Sequence, residues 1–503
     1  MNILTRILLI APFLIAEVLV MVVVFTVLMP FAHIISVCLA LISVLVIIHI
    51  ICSRQEGSYK VLWIVVVALM PVAGTVAYLL FGQRMTAARL NKKIRSAGAD
   101  LPEMPPSVIH TAPEGRHYDD RIGESLAYLE GLSGFPAAVC ESAEYYSLGE
   151  NYWRAILEEL KKAEKFVFME IFIVENGLMW NSMKEILAEK IKAGVDVRFI
   201  YDDLGSIGTF NMGDASKLTK LGIKWMAFNE LKIAKGSLNN RTHRKMVIID
   251  GRVAFSGGNN FADEYINEKV KFGHWKDIGF KITGPAVANY VNMFVQFWNA
   301  FTEDDPVSNE VFEMVPKEAS GEDGKVLSYY DSPANIDPNS NNFYVEMLGN
   351  ATEYAWFYTP YLMLGDTLLD AFVRAAKRGV DVRIIMPGIP DKKMVFRLSR
   401  SFYEELLMAG VKIYEYTPGF VHAKASLYDD EVCTIGTVNL DYRSLYLHFE
   451  NNSVFWKSSI IQDLKKDYLD TLDKCREIKL EEATYTGFSR MVNGFLRVLA
   501  PLL

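Results

Sequence analysis

The sequence predicts an α/β protein: two similar halves with mixed sheets flanked by helices, preceded by N-terminal membrane helices. Three observations carry this. A short pattern of His, Lys, Asp, Gly and Asn occurs twice with its spacing intact. A second stretch also recurs, as Ala193-Gly-Val-Asp-Val-Arg-Phe-Ile200 and as Arg378-Gly-Val-Asp-Val-Arg-Ile-Ile385. Three long apolar stretches lie before residue 83.

The apolar stretches cover 7–29, 31–51 and 61–81. Each has about the length needed to cross a bilayer core of roughly 30 Å. They are too long and too repetitive for a cleavable signal. Glu17 is the one acid in the first; it either faces a neighbouring helix or sits near an interface. Arg84, Arg89, Lys92, Lys93 and Arg95 follow the third stretch and place the body on the cytoplasmic side of a multi-pass membrane region. Arg6 and the 54–60 loop favour the same side. A hairpin of two spans plus a third segment that dips in and returns satisfies all of these, with Pro71 and Gly74 as the break. Three plain spans remain an alternative.

The organisation that follows is 1–83 membrane region, 84–123 basic then Pro/Gly-rich linker, 124–302 first half, 303–325 acidic linker, 326–483 second half and 484–503 amphipathic tail. Within each half, strands alternate with helices, which implies α/β layers with largely parallel pairing. A hairpin then follows in each half, turning at Asp250-Gly251 and at Asp429-Asp430, so the sheets are mixed. In the tail, Phe488, Met491, Phe495, Leu496 and Leu499 recur at helical spacing with Arg490 and Arg497 among them. A membrane-surface helix and a helix packed on the body both fit.

The repeated pattern bears the chemistry. One copy holds His243, Lys245, Asp250 and Gly257-Gly-Asn-Asn260; the other holds His422, Lys424, Asp429 and Gly436-Thr-Val-Asn439. Strand alternation puts His243 with Lys245, and His422 with Lys424, on one face. Histidine serves as nucleophile, acid or base near neutral pH. A fixed lysine stabilises charge developing on phosphoryl oxygens, and Asn260 and Asn439 supply amide donors for the same oxygens, with Asn259 in reserve. The glycines suit close backbone approach. Asp250 and Asp429 complete the catalytic signature, yet fall at the hairpin turns, where a structural role is favoured over direct chemistry. Arg443 and Ser444 suit either a headgroup phosphate or local capping.

These paired motifs resemble the phospholipase D superfamily. The apolar N-terminus ending in Tyr78-Leu-Leu-Phe-Gly82, the His274-Trp-Lys-Asp277 stretch, Gly436-Thr-Val-Asn-Leu-Asp-Tyr-Arg-Ser444 and the apolar tail make the chain similar, over essentially its full length, to the bacterial cardiolipin synthase family. The resemblance implies two phospholipase D-like halves and phosphatidyl transfer between two phosphatidylglycerol molecules at a bacterial cell membrane, giving cardiolipin and glycerol. It implies His243 as nucleophile and His422 as general acid, then base, through a phosphohistidine. By family position, Asp277 and Glu450 hold the second ring nitrogens of the histidines. The resemblance implies no metal or other cofactor. A hydrolytic phospholipase D, or another phosphatidyltransferase, uses the same residues.

Composition narrows the partners. The formal charge of −8 weighs against nucleic acid. The five cysteines, Cys38, Cys52, Cys140, Cys433 and Cys475, lack metal or CxxC spacing and read as free thiols of a reducing compartment.

Overall fold

The computed structural model describes residues 11–12, 15–23, 32–82, 85–109, 121–230 and 239–502. Arg6 and Arg84 lie outside the described residues, as does part of the 7–29 stretch.

Among the described residues each half carries its own sheet. The first half's seven strands run Ser142–Tyr146, Gly279–Thr283, Val253–Gly257, Met246–Ile249, Phe166–Ile171, Asp196–Asp202, Lys224–Phe228. The second half repeats that plan around Lys325–Asp331, Glu450–Trp456, Val432–Gly436, Ala425–Tyr428, Tyr354–Tyr358, Asp381–Pro387 and Lys412–Tyr416. It adds edge strands Ala138–Val139 and Cys475–Glu477, for nine in all. The expectation of largely parallel pairing is corrected. Within these two sheets only the strands joined by crossover helices pair in parallel, such as Phe166–Ile171 with Asp196–Asp202, while the hairpin and the strands beyond it pair antiparallel.

Both hairpins turn where the sequence places them. Asp250 and Gly251 have φ of 54° and 63°, and Asp429 and Asp430 have 50° and 58°. Positive φ at both central residues matches the twist of the flanking strands. The helix Val287–Phe301 is apolar on nearly every side and almost wholly buried. It packs against strands of both sheets and so joins the halves. The linker expected at 84–123 is partly helix. Met85–Ala99 turns Ala87 and Ile94 inward and packs on Val287–Phe301, with Lys92, Lys93 and Arg95 outward. All five cysteines are free.

Among the described residues no helix is long and apolar enough to cross a membrane. The third apolar stretch breaks at Met70 into Gly57–Leu69 and Pro71–Ala77, at the proline that cannot continue a helix. The two pieces fold back closely: a Cβ on Gly74 would lie 2.4 Å from the Val66 carbonyl oxygen. Glu17 accepts a hydrogen bond from the Ala73 N–H at 2.6 Å, so the acid faces a neighbouring helix and caps its N-terminus. The second stretch forms Ala32–Cys52, with Val37, Leu41, Leu45 and Ile48 exposed.

Candidate active site

The halves meet by exchanging backbone hydrogen bonds beside each motif. The His243 N–H donates to Phe449 O and the His422 N–H to Lys276 O, each at 2.7 Å. Gly419–Val421 pairs in parallel with His274–Lys276, and Thr242 bridges Phe449. Each histidine is thereby registered against the residue just before a carboxylate of the opposite half.

That register crosses the pairs. His243 Nδ1 lies 2.8 Å from Glu450 Oε2 and 2.9 Å from Oε1. His422 Nδ1 lies 2.6 Å from Asp277 Oδ2. Both carboxylates are fully buried. Asp277 and Glu450 each lie against the histidine of the other half. Gly258 permits this, since a Cβ there would sit 2.0 Å from Asp277 Oδ1. Thr437 Oγ1 donates to Glu450 Oε2 at 2.5 Å, which fixes the second acid.

With Nδ1 held, Nε2 is the nitrogen left for chemistry. Lys245 Nζ donates to the His243 carbonyl at 2.9 Å, and Lys424 Nζ donates to the His422 carbonyl. Burial, then the charges of Lys245 and Lys424, pushes the His243 pKa well below the ordinary histidine value. Burial and Lys424 push His422 down to about 3. Both imidazoles are neutral near pH 7, as a nucleophile requires. Burial also brings Lys245 down to about 7 and Lys424 to about 8. Each lysine's charge acts on both histidines, so the four groups form one cluster. Burial raises Glu450 to about 8 against the pull of Lys245. At Asp277 burial pushes up, but the His422 charge and hydrogen bond, with Lys424, outweigh it, and the carboxyl is held low.

The motif aspartates do other work. Asp250 accepts from the N–H groups of Glu164, Lys165 and Phe166 at 2.8–2.9 Å. Asp429 accepts from those of Thr352, Glu353 and Tyr354 at 2.7–3.0 Å. Each pins the entry of a central strand from the far end of the motif's own strand, the structural role favoured from their turn positions. Asn260 accepts from the Ile173 N–H at 3.0 Å and donates to Tyr265 Oη at 2.6 Å; Asn259 donates to Ile278 O. The buried Asn439 Oδ1 has no hydrogen-bond partner among the described residues. Ser444 bonds to Glu450 and its N–H donates to Asp441, a local role.

Several contributors escape a reading of the motifs alone. Phe172 stands edge-on to His243 at 4.9 Å, and Tyr265 edge-on to His422 at 5.2 Å. Glu170 pairs with Arg244 and accepts from Thr242 Oγ1, and Asp202 pairs with Arg241; these charged groups are buried. The charged residues flanking His243 were the available signal. The second motif has Phe420 and Ala423 in the places that match Arg241 and Arg244. Among the described residues no cluster of His, Cys, Asp and Glu could hold a metal ion.

Two halves lending a carboxylate-held histidine and a lysine each to one cluster define a phospholipase D-like protein. Residues 156–298 and 344–471 match the family described as cardiolipin synthase, PLD-like domain, and residues 41–83 match the phospholipase D-nuclease N-terminal family. The chain belongs to the cardiolipin synthase family of phospholipase D-like proteins. It is 34% identical over 459 residues to cardiolipin synthase 2 of Bacillus anthracis, covering 90% of this chain and 88% of that one. It is 32% identical to the cardiolipin synthase of Alkalihalophilus pseudofirmus, with 90% of each covered. An uncharacterized protein of Streptococcus mutans is 35% identical over 91% of this chain and 99% of its own length. In fold, the chain is similar to the phosphatidylserine synthase of Haemophilus influenzae, with a TM-score of 0.57 and 15% identity over 76% of this chain and 98% of that one.

Proposed function

We propose that the protein is a cardiolipin synthase that transfers a phosphatidyl group between two phosphatidylglycerol molecules. The crossed His243–Glu450 and His422–Asp277 pairs carry this reading. They give one cleft two imidazoles with Nε2 available and two lysines beside them. His243 Nε2 attacks the donor's phosphorus and the P–O bond to glycerol breaks. His422, protonated, gives its Nε2 proton to that oxygen, and glycerol leaves. The hydroxyl of a second phosphatidylglycerol then passes its proton back to His422 and attacks phosphorus. The N–P bond breaks, cardiolipin forms and His243 is free again. A bound phosphodiester anion favours the imidazolium that this step needs, and Asp277 stabilises it from behind. Lys245 and Lys424 meet the charge that develops on the phosphoryl oxygens.

Membrane apposition belongs to the same proposal. The apolar N-terminal stretches insert into the bacterial cell membrane with the body at its cytoplasmic side. The helix Gly487–Val498 lies against Gly57–Leu69 and exposes Phe488, Met491 and Phe495, an apolar row suited to the lipid surface. The test is purified protein with phosphatidylglycerol. Cardiolipin with equimolar glycerol is expected; phosphatidic acid in place of cardiolipin assigns hydrolysis and overturns the transfer reading.

A further inference from the structure

The reaction needs two phospholipids, and both carry a phosphate. The paired lysines account for the donor's. The acceptor keeps its own phosphodiester intact, and that anion lies a glycerol bridge away from the attacking hydroxyl. A cation at the mouth of the cleft, outside the reacting cluster, is therefore wanted.

His422 is flanked by an aromatic wall. Trp275 and Phe420 lie 5.5 and 6.0 Å from the His422 ring, centroid to centroid. Tyr361 packs on Phe420 at 6.5 Å and belongs to the outer edge of this wall. Its hydroxyl donates to Asp391 Oδ2 at 2.7 Å, which fixes it. Lys392 lies over the Tyr361 ring, with Nζ 5.2 Å from the centroid and 3.4 Å from the hydroxyl. The Lys392 side chain is 55% exposed, and its ammonium forms a long ion pair with Asp391 Oδ2 at 3.5 Å. Its charge nevertheless reaches His243 in the opposite half. Lys392 thus has a steadied, solvent-exposed ammonium beside the aromatic residues that flank His422.

We propose that Lys392, steadied by Tyr361 and Asp391, binds the phosphodiester of the acceptor lipid and so selects an anionic phospholipid over water or a neutral alcohol as the second substrate. This rests on the transfer reading above. The site commits to phosphate chemistry: a compact, exposed ammonium whose present partners lie at 3.4 and 3.5 Å can turn to an oxyanion, and the aromatic wall suits the lipid's glycerol and acyl carbons.

The experiment compares two reactions of the full-length protein in mixed micelles of phosphatidylglycerol. Exchange of labelled free glycerol into phosphatidylglycerol reports the first transfer and its reversal, with a neutral acceptor. Cardiolipin formation requires the anionic acceptor. Lys392→Ala is expected to lower the ratio of cardiolipin formation to glycerol exchange by about tenfold, the size of one contact between an ammonium and a phosphate. The loss appears as a higher KM for acceptor, with phosphatidic acid rising as water competes. Lys392→Arg, which keeps the charge, restores the ratio. Equal loss of both reactions would assign Lys392 to the donor site or to folding and overturn the proposal, as would an unchanged ratio. Absence of both reactions from the unsubstituted protein would instead overturn the transfer reading itself.

Discussion

Asp277→Asn removes one charge behind His422 while keeping the shape of the side chain. The carboxylate is fully buried and lies 2.6 Å from Nδ1. Its charge stands about 4 Å from the centre of an imidazolium, where an effective dielectric near 20 makes the attraction about 4 kcal/mol. Loss of that attraction raises the barrier of the step that needs a protonated His422, and about 4 kcal/mol is roughly a thousandfold in rate. The amide can also turn an N–H toward Nδ1, which moves the ring proton to Nε2 and worsens the base. The assay is initial-rate cardiolipin formation from labelled phosphatidylglycerol, with Asp277→Asn, His422→Ala and the double variant measured together. Asp277 acts through His422, so the double variant is expected within a few-fold of His422→Ala, although the two residues belong to different halves. A single-variant rate within tenfold of the unsubstituted protein, or additive losses in the double variant, would refute the crossed-pair reasoning.

The lysines set a pH dependence. Both pKa values are lowered by burial, to about 7 and about 8, so the cations exist below those values. kcat/KM, which reports the free enzyme, is expected to fall as pH rises through about 7 to 8, and a flat profile to pH 9 would contradict it. The same shifts mean that the unfolded chain binds more protons between those values and the ordinary lysine pKa, so these two groups make stability rise with pH across that window. Asp250→Ala and Asp429→Ala leave backbone N–H groups without acceptors and put alanine at positive φ. Each is expected to cost about 2 kcal/mol or more, seen as a lower Tm, while folded protein keeps its turnover; lost turnover at unchanged Tm would restore them to the chemistry. Replacing Phe488, Met491 and Phe495 together with Ser is expected to lower activity on phosphatidylglycerol vesicles more than on detergent micelles. Equal effects on both would mean that this helix face does not meet lipid.

Much of this site was legible in the sequence because its determinants are local. His-x-Lys places two side chains on one strand face, Asp-Gly and Asp-Asp tolerate the positive φ of a tight hairpin turn, and Pro71 breaks a helix wherever the tertiary fold puts it. Asp277 and Glu450 could be marked as the acids. Their crossing could not, since it depends on the exchange of backbone hydrogen bonds between halves far apart in the chain. The helix Met85–Ala99 was read as linker because its outward Lys92, Lys93 and Arg95 dominate the composition, while its buried face shows only a few residues, Ala87 and Ile94 among them. Parallel pairing was over-weighted for a related reason. Strand–helix alternation is visible as a pattern, whereas the antiparallel return strands Gly279–Thr283 and Glu450–Trp456 follow their motifs without an α-helix between.

The central claim is that two halves build one site in which His243 carries the phosphatidyl group and His422 moves the proton. Rapid quench of the protein with phosphatidylglycerol labelled in its phosphatidyl group into denaturing detergent at neutral to mildly alkaline pH, followed by phosphorus NMR and peptide mapping, tests it most directly. The expected result is an acid-labile phosphohistidine at position 243, absent in His243→Ala, and chased into cardiolipin by unlabelled phosphatidylglycerol. Label at His422 would reverse the roles. No label at either histidine, with cardiolipin still forming, would contradict the account.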